Sequence, residues 1–540
     1  MKKIIRLLIP AFIIVLCLAG CGSTDRSKAE INVGIGASPN TFDPQLIADS
    51  ASSEAAAYFM AGLYQYNVNK ELVPCLAESY DLSPDGLTYT FHLKKGLKWS
   101  DGRPLNAEDF AFGLQRLADP DVGSNAIYLI TECCTIKNAE AVSERKMPVG
   151  ELGVSSPDDT TLIIELERPC PFFCDLLTLP NFAPCNKDFY HSVGKDYADS
   201  AENILSCGPY MVDRYEPLAT QIHYSRNPYY VDADKIKPEG INLRVVTDTQ
   251  QALMSYKTGI LDIIRISGQY TELATGDPEL HAFSTATTKY LEVNHRTCPA
   301  LQNKNVLRAI CKSINREDLT TKLLKEGNYP LTRFVPPGSC IEPDKKDFAE
   351  DKDRYASQLG YDQEEAKKLW EKGLSELGKD SLTIELAYDS GVKDLMEAVK
   401  SEVEANLKGL TLELKSITFK DRLQKKNAGD YELLYSGWNG DYADPTTFLG
   451  QFLSKAAPAG YNNPDFDKLY NECQTAKLAQ DPPARYKQLH ALEDMLAEDV
   501  GYIPLYTSGE LYLIRKGVEG FIKTPTGGAP IVTGLTKEVR

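Results

Sequence analysis

The 540-residue chain is poor in the residues that carry most metal and redox chemistry. It has three Trp, six His and seven Met, and none of its 13 Cys forms a C-x-x-C pair. The histidines lie far apart, so the chain has no zinc-finger spacing and no H-E-x-x-H pattern. Nor does it contain G-x-S-x-G, G-x-x-x-x-G-K-[ST] or G-x-G-x-x-G. The sequence therefore predicts no metal, no cofactor and no conventional catalytic motif.

Basic residues are fewer than acidic residues. The chain has 59 Lys and Arg against 76 Asp and Glu, for a net charge of −17. This balance argues against nucleic acid as a partner, because nucleic-acid binding needs basic surfaces. It also argues against adhesion to anionic lipid through charge. With 42% hydrophobic and 25% charged residues, the composition is that of a globular protein, and the length predicts two or three domains.

A long apolar run occurs only at the N-terminus, over residues 7–18, directly after three basic residues. The run is too short for a comfortable membrane span and has the layout of a secretory signal. The "LAGC" that ends at Cys21 resembles the lipobox of bacterial lipoproteins. We therefore expect a signal peptide over 1–20, lipidation of Cys21 and a flexible tether over 21–30. The alternatives are an ordinary signal peptide and an uncleaved anchor.

Eleven cysteines remain after the signal peptide and Cys21 are set aside. Since eleven is odd, at least one thiol has no partner within the chain. Cys170 and Cys174 have a spacing that could hold a metal, but two Phe lie between them. Buried small hydrophobic side chains are the preferred interpretation for these cysteines.

The clearest local architecture lies in 72–120. Residues 83–86, Ser-Pro-Asp-Gly, suit a type I turn. Alternating apolar and polar residues then predict a half-buried hairpin strand. A helix follows, with Asn106 as its N-cap and Asp109 in a capping-box position.

Beyond this region, helical and strand patterns alternate over most of the length, which predicts α/β lobes. The predicted strands are 160–169, 241–248, 261–267, 382–389 and 410–418, and the predicted helices are 249–259, 304–314, 363–377 and 482–498.

One set of short motifs imitates an enzyme. Ser192-x-x-Lys195, Ser225-Arg226-Asn227 and 257–259 (Lys-Thr-Gly) occur in the order found in penicillin-binding proteins. Each motif has only two or three fixed residues, and the gaps are short for that fold. A secreted hydrolase is therefore the alternative from a different class.

Eight segments together point to a family. They are "GASPNTFDP", "VPCLAESYDLSPDGLTYTFHLKKGLKWSDGRPLNAEDF", "CGPYMVDRYEP", "RNPYY", "YKTGILDI", "YLEVNH", "NVLRAICKSINRE" and "GWNGDYADPTTFL". They resemble the oligopeptide- and dipeptide-binding proteins of bacterial ABC importers, the two-lobed family 5 extracellular solute-binding proteins. The match runs from about residue 31 to the C-terminus. The block around "LKKGLKWSDG" is the most specific, because many positions agree over about twenty residues.

The resemblance implies an α/β, periplasmic-binding-protein-like fold of type II, in which two lobes close like a flytrap, with an extra α+β subdomain on the first lobe. The expected boundaries are lobe I at 31–69, 196–285 and 506–540, the extra subdomain at 70–195, and lobe II at 286–505. Trp99, in the specific block, would then be packing within the subdomain.

The resemblance also implies a ligand site in "GWNGDYADP". Relatives pair the Asp three residues after the motif Trp with the ligand's α-amine, which makes Asp441 the expected anchor and Trp438 a flat wall. Gly437 and Gly440 would let backbone approach the ligand, and an extended peptide could add there as a strand. The other expected ligand-binding residues are Asn439, Tyr290 and Tyr506. Asp444 would instead cap the following helix.

One position departs from some relatives. The residue three before Trp438 is Tyr435, where those relatives have an Arg that helps to bind the peptide C-terminus. The expected function is a lipid-anchored, monomeric, non-catalytic receptor on the outer face of the cytoplasmic membrane that delivers oligopeptides to a permease. A different solute, such as an opine, a sugar or a chelated metal, is the alternative within the same fold.

Overall fold

The computed structural model describes residues 30–215, 220–296, 298–456, 460–526 and 528–538. The expected signal peptide and the lipidation site Cys21 lie outside the described residues. Within the described ranges, no helix is both long enough and apolar enough to cross a membrane.

Nineteen strands are present in the described residues. They are β1 Glu30–Ile35, β2 Tyr64–Tyr66, β3 Leu72–Pro74, β4 Ala77–Leu82, β5 Thr88–Leu93, β6 Val154–Asp158, β7 Thr161–Glu165, β8 Tyr210–Arg214, β9 Gln221–Arg226, β10 Gly240–Val245, β11 Ile263–Ile266, β12 Leu280–Val293, β13 Tyr329–Pro330, β14 Leu382–Asp389, β15 Leu410–Ile417, β16 Leu433–Asn439, β17 Tyr502–Ile514, β18 Val518–Glu519 and β19 Thr536–Lys537.

Seventeen α-helices accompany them in the same ranges. They are α1 Ser50–Phe59, α2 Ala107–Ala118, α3 Ala139–Ser143, α4 Phe173–Leu176, α5 Lys187–Val193, α6 Thr249–Lys257, α7 Tyr270–Ala274, α8 Lys304–Lys312, α9 Arg316–Asp318, α10 Ala356–Leu359, α11 Gln363–Leu377, α12 Lys393–Asn406, α13 Phe419–Ala428, α14 Thr446–Leu449, α15 Pro464–Glu472, α16 Ala476–Ala479 and α17 Pro482–Asp499.

Two lobes share one large sheet, whose strand order is β15-β14-β16-β12-β17-β11-β1-β10-β9-β8. Strands β12 and β17 are long enough to belong to both lobes. The first half of β12 pairs with the last half of β17 beside β11, and its second half pairs with the first half of β17 beside β16. The lobes are thus joined by two antiparallel crossing strands.

The crossing point is irregular. The β12–β17 register shifts between Ser284 and Thr288, so the ladder has a bulge there. Ala286, within the bulge, adopts the left-handed conformation with φ of 53°, which is unfavourable for a residue with a Cβ. A bulge bends its strand and increases the local twist, so β12 is bent where it passes from one lobe to the other.

The extra subdomain is a four-stranded antiparallel sheet, β4-β5-β7-β6, covered by α2. The capping box of α2 is present as predicted, with both the Asn106 and the Asp109 side chains bonded to backbone N–H groups. Trp99 is 1% exposed, and its indole N–H donates to Asp109 at 2.9 Å, so it packs within the subdomain. The expected boundary at 69/70 falls inside the β2–β3 hairpin.

The side chains of β12 alternate between two parts of the hydrophobic core. Lobe I and the extra subdomain share one continuous apolar cluster. In lobe II, Leu291 of β12 faces the helices α8, α11 and α12, and Tyr290 faces α15 and α17 on the other side of the sheet. Successive side chains of a strand point to opposite faces, so lobe II has an apolar layer on each face.

Most predicted elements are confirmed. Helix α11 and strand β14 have the predicted limits, and α6 ends just before Gly259, which has a φ of 78°. All eleven described cysteines are free, and nine of them are buried, as small apolar side chains would be.

Candidate functional site

The turn after β16 projects from the sheet into the gap between the lobes. The Asp441 N–H donates to the Thr447 hydroxyl at 3.2 Å, and the Gly440 N–H donates to the Ala286 carbonyl at 3.2 Å. These bonds fix the turn between helix α14 and the bulge of β12, so its position depends on the crossing point of the lobes.

Three cavities adjoin this turn, with volumes of about 390, 320 and 470 Å³. Trp438 and Asp441 line the first, Ala443 the second and Asn439 the third. The opposite walls belong to the extra subdomain and lobe I. The gap between the lobes therefore contains three cavities around one segment of chain.

Asp441 lies half-buried in the first cavity without a cationic partner. No ion pair to its carboxylate occurs among the described residues, and burial alone raises its pKa to about 6. Burial raises the pKa of Cys133, in the extra subdomain, to about 12, and the negative charge of Asp441 is the next largest cause of this increase. The carboxylate therefore faces across the gap, and its desolvation is not offset within the described protein.

Asp444 has the opposite environment. Its carboxylate makes two bonds to the Arg485 guanidinium, at 2.6 and 2.9 Å, and both side chains are almost fully buried. It also accepts from the N–H of Thr446, the first residue of α14, at 3.0 Å. The sequence placed Asp444 at the N-cap, whereas the cap position falls on Pro445. The structural role is retained, but its main partner is Arg485.

Trp438 and Asn439 line different cavities. Trp438 packs against the lobe II core, and its indole N–H is buried with no hydrogen-bond partner among the described residues. Asn439 accepts from the Thr287 hydroxyl at 2.9 Å. A buried donor without a partner carries a desolvation cost that the described residues do not offset.

Gly437 and Gly440 are both in close contact with neighbouring side chains. A Cβ on Gly440 would lie 2.8 Å from the Phe448 ring, and one on Gly437 would lie 2.8 Å from the Lys289 amine. In this structure Gly440 makes room for the packing of Phe448, and Gly437 makes room for a lysine that lies across β16.

The two tyrosines differ in position. Tyr290 is 1% exposed and packs against Phe334 and Tyr502 in the lobe II core. It lines none of the three cavities. The Tyr506 hydroxyl bonds at 2.9 Å to the hydroxyl of Tyr435, the residue that stands at the position of the relatives' Arg.

One edge of β16 is available for a further strand. β14 pairs with β16 only through Leu433 and Leu434, and β12 pairs with the opposite edge along the whole length. Among the described strands, residues 435–439 therefore have a free edge that leads towards Asp441. An extended peptide can add to such an edge through main-chain hydrogen bonds.

Sequence reasoning missed the walls that face this turn. In the first cavity they include Cys133, Arg168 and Phe172, and the Phe172 ring stacks on Tyr442 with centroids 3.9 Å apart. In the third cavity they are the charged side chains Glu54, Arg265, Glu510 and Lys523. No local pattern marks these residues, because they meet the turn only after the lobes have folded together.

The enzyme-like motifs are scattered. Ser192 lies in α5 of the extra subdomain, and its hydroxyl donates to the carbonyl of Phe189 in the same helix. Ser225 lies in β9, and Lys257 ends α6, both in lobe I. None of these three residues lines the cavities around the turn.

Two α/β lobes joined by crossing strands, with polar cavities between them, define the class of two-lobed solute-binding proteins. The family model described as "Bacterial extracellular solute-binding proteins, family 5 Middle" matches residues 71–460. The chain belongs to this family, as the sequence predicts.

Individual relatives match almost end to end. A dipeptide-binding protein of Lactococcus lactis subsp. cremoris is 30% identical over 532 residues, which cover 95% of each chain. Listeria monocytogenes OppA bound to peptide is 29% identical, with a TM-score of 0.67 over 95% of this chain and 100% of that one. The murein tripeptide binding protein MppA, in an unliganded open form, is 26% identical, with a TM-score of 0.81 over 94% and 96%.

Proposed function

We propose that this protein captures short peptides between its two lobes, with Asp441 as the anchor for the ligand's α-amine, and delivers them to an ABC transporter permease. The observation that carries the proposal is a desolvated carboxylate with no cationic partner, in a cavity between the lobes, beside a free strand edge. The relatives named for dipeptides and oligopeptides support the same ligand class.

The charge of Asp441 gives the ligand preference a physical basis. A buried carboxylate is costly unless it is paired, and a peptide ammonium would supply the missing charge. Closure of the lobes would exclude water and strengthen the pair. Because a ligand that bridges both lobes binds the closed form more tightly, it shifts the population towards that form.

The lobe arrangement is consistent with a closing receptor. The TM-score is 0.81 to the unliganded open form of MppA and 0.67 to the peptide-bound OppA of Listeria monocytogenes. In this structure the lobes are thus arranged more as in the open form. The bulge at Ala286 lies on the crossing strands, where a hinge rotation would be absorbed.

The test is calorimetric titration of the wild type and Asp441→Asn with tri- and tetraalanine. We expect the substitution to weaken binding by about 2–5 kcal/mol, as for one half of a buried charge pair. Acetylation of the peptide amine should weaken binding to the wild type and have little further effect on the variant. Asp394→Asn, an exposed position on α12, is the control for an equal loss of charge. Equal affinity of the wild type and Asp441→Asn would contradict the assignment.

The proposal includes membrane attachment through Cys21 and no chemical change to the ligand. Replacement of Cys21 by Ala should release the protein from the membrane into the medium, which fractionation of expressing cells would detect. Recovery of the bound peptide intact, by mass spectrometry after incubation, would support a receptor. Cleavage of the peptide would favour a hydrolase.

A further inference from the structure

A second charged group without a bonded partner lies beside β16, on the neighbouring strand β12. Lys289 of β12 is opposite Gly437 in the β12–β16 ladder. Because Gly437 has no side chain, Lys289 lies across it, with its amine 2.8 Å from where a Cβ would be. The Lys289 amine has no ion pair or hydrogen bond within the described ranges. Burial lowers its pKa, and the positive charge of Arg422 lowers it further.

Arg422, from α13, is the second cation at this position. Its guanidinium bonds to Asp389 at 3.0 Å and to the Ser436 hydroxyl at 3.3 Å, and its side chain is 9% exposed. Asp389 is bonded to Arg422 and acts on Lys289 only through space, so the two cations share a single carboxylate. A desolvated cation beside another cation is unfavourable unless an anion joins them.

Two tyrosines lie beside these cations. The hydroxyls of Tyr435 and Tyr506 are bonded to each other at 2.9 Å. Lys289 pairs with Tyr506 across the β12–β17 ladder, and Arg422 and Asp389 both act on the pKa of Tyr435. Tyr435 therefore lies near the two cations, and the cation without a bonded partner, Lys289, belongs to the neighbouring strand β12.

We infer that Lys289, supported by Arg422, binds the terminal carboxylate of a short peptide whose amine is held by Asp441. The inference rests on the proposed function. Lys289 would supply the positive charge that some relatives have at the position of Tyr435. The backbone of β16 would then contact the ligand between its two ends.

The spacing along β16 limits the length of the ligand. Gly437 and Asp441 are four residues apart, which is about 13 Å in an extended chain at 3.3 Å per residue. An extended peptide of about four residues has the same length, and the bend after Asn439 shortens the distance further. We therefore expect peptides of three or four residues to contact both groups, and longer peptides to extend beyond Lys289.

The experiment compares alanine peptides of two to six residues, each with a free carboxylate and as the C-terminal amide, on the wild type and on Lys289→Met. For the wild type we expect the free acids of three and four residues to bind about tenfold to a hundredfold more tightly than their amides, as for a hydrogen bond to a charged group. In Lys289→Met this ratio should fall towards one.

Two variants control the interpretation. Lys420→Met removes the same charge from an exposed position of α13. Residues two apart on a helix do not face the same way, so Lys420→Met should keep the wild-type ratio of acid to amide. Lys289→Arg retains a cation and should keep most of the preference for the free acid, which provides a test even if Lys289→Met folds poorly.

The outcomes separate the two proposals. Equal binding of acids and amides by the wild type at every length would overturn this inference, and so would an unchanged ratio in Lys289→Met. In both cases amine-dependent binding through Asp441 would still stand. Failure of the wild type to bind any of the peptides would overturn the proposed function, and the inference with it.

Discussion

Asp441 and Asp444 lie three residues apart in one turn, yet their carboxylates have opposite surroundings. Asp444 is fully enclosed, makes two bonds to Arg485, and has a pKa held below its usual value, where that pairing outweighs the effect of burial. Asp441 faces a cavity, has no ion pair among the described residues, and has a pKa raised by burial to about 6. The charge of Asp444 is neutralised within the protein, and the charge of Asp441 is left uncompensated.

This difference distinguishes a buried charge that stabilises the fold from one that is available to bind a ligand. A buried charge is tolerated when its partner and hydrogen bonds are already in place. A desolvated charge that lacks a partner is costly in the free protein, and the cost is recovered when a ligand of opposite charge arrives. Asp441 and Lys289 fit the second description, and Asp444 and Arg485 fit the first.

The largest expected effect is the loss of stability when the ion pair between Asp444 and Arg485 is broken. Asp444→Asn should lower the free energy of unfolding by about 3–5 kcal/mol, because Arg485 would remain buried without its counter-charge. Urea unfolding followed by circular dichroism measures this loss. A change no greater than that of Asp394→Asn would mean that the pair is not important for stability.

The neighbouring carboxylate should respond in the opposite direction. Asp441→Asn should raise the free energy of unfolding of the ligand-free protein by about 1–3 kcal/mol at pH 7, because it removes a charge that burial disfavours. The same urea titration applies. A loss of stability in Asp441→Asn would show that the carboxylate has a structural partner after all.

The dependence on pH separates the two carboxylates further. Because the pKa of Asp441 in the folded state is raised from 3.8 to about 6, its penalty is present above pH 6 and is lost as the pH falls towards 3.8. The stability advantage of Asp441→Asn should therefore disappear between pH 7 and 4. The pKa of Asp444 lies below 3.8, so the stability deficit of Asp444→Asn should stay constant over that range. Parallel pH profiles for the two variants would contradict this distinction.

The smallest expected effect concerns the contact between the turn and the extra subdomain. Tyr442→Leu removes the ring that stacks on Phe172 and should lower the free energy of unfolding by about 0.5–1.5 kcal/mol beyond the loss of apolar area. Tyr361→Leu, at an exposed Tyr, is the matched control. Equal effects of the two substitutions would indicate that the stack adds no stability.

The local patterns of the sequence predicted much of the fold. The capping box at Asn106, the alternation in β5 and the limits of α11 follow from hydrogen bonds and side-chain directions over a few residues. Such short-range rules do not specify which side of the sheet meets which helix. Tyr290 illustrates this limit: the resemblance implied a ligand contact, and the fold places its side chain in the apolar core of lobe II.

By itself the sequence determined the family, the alternation of helices and strands, and the segment that contains Trp438 and Asp441. Only the tertiary structure decided which charged groups keep a partner. Arg485 reaches Asp444 from 41 residues away, and Lys289 reaches Gly437 from a different strand. Pairing of buried charges depends on distance through space and on the exclusion of water, and neither quantity can be calculated from neighbours along the chain.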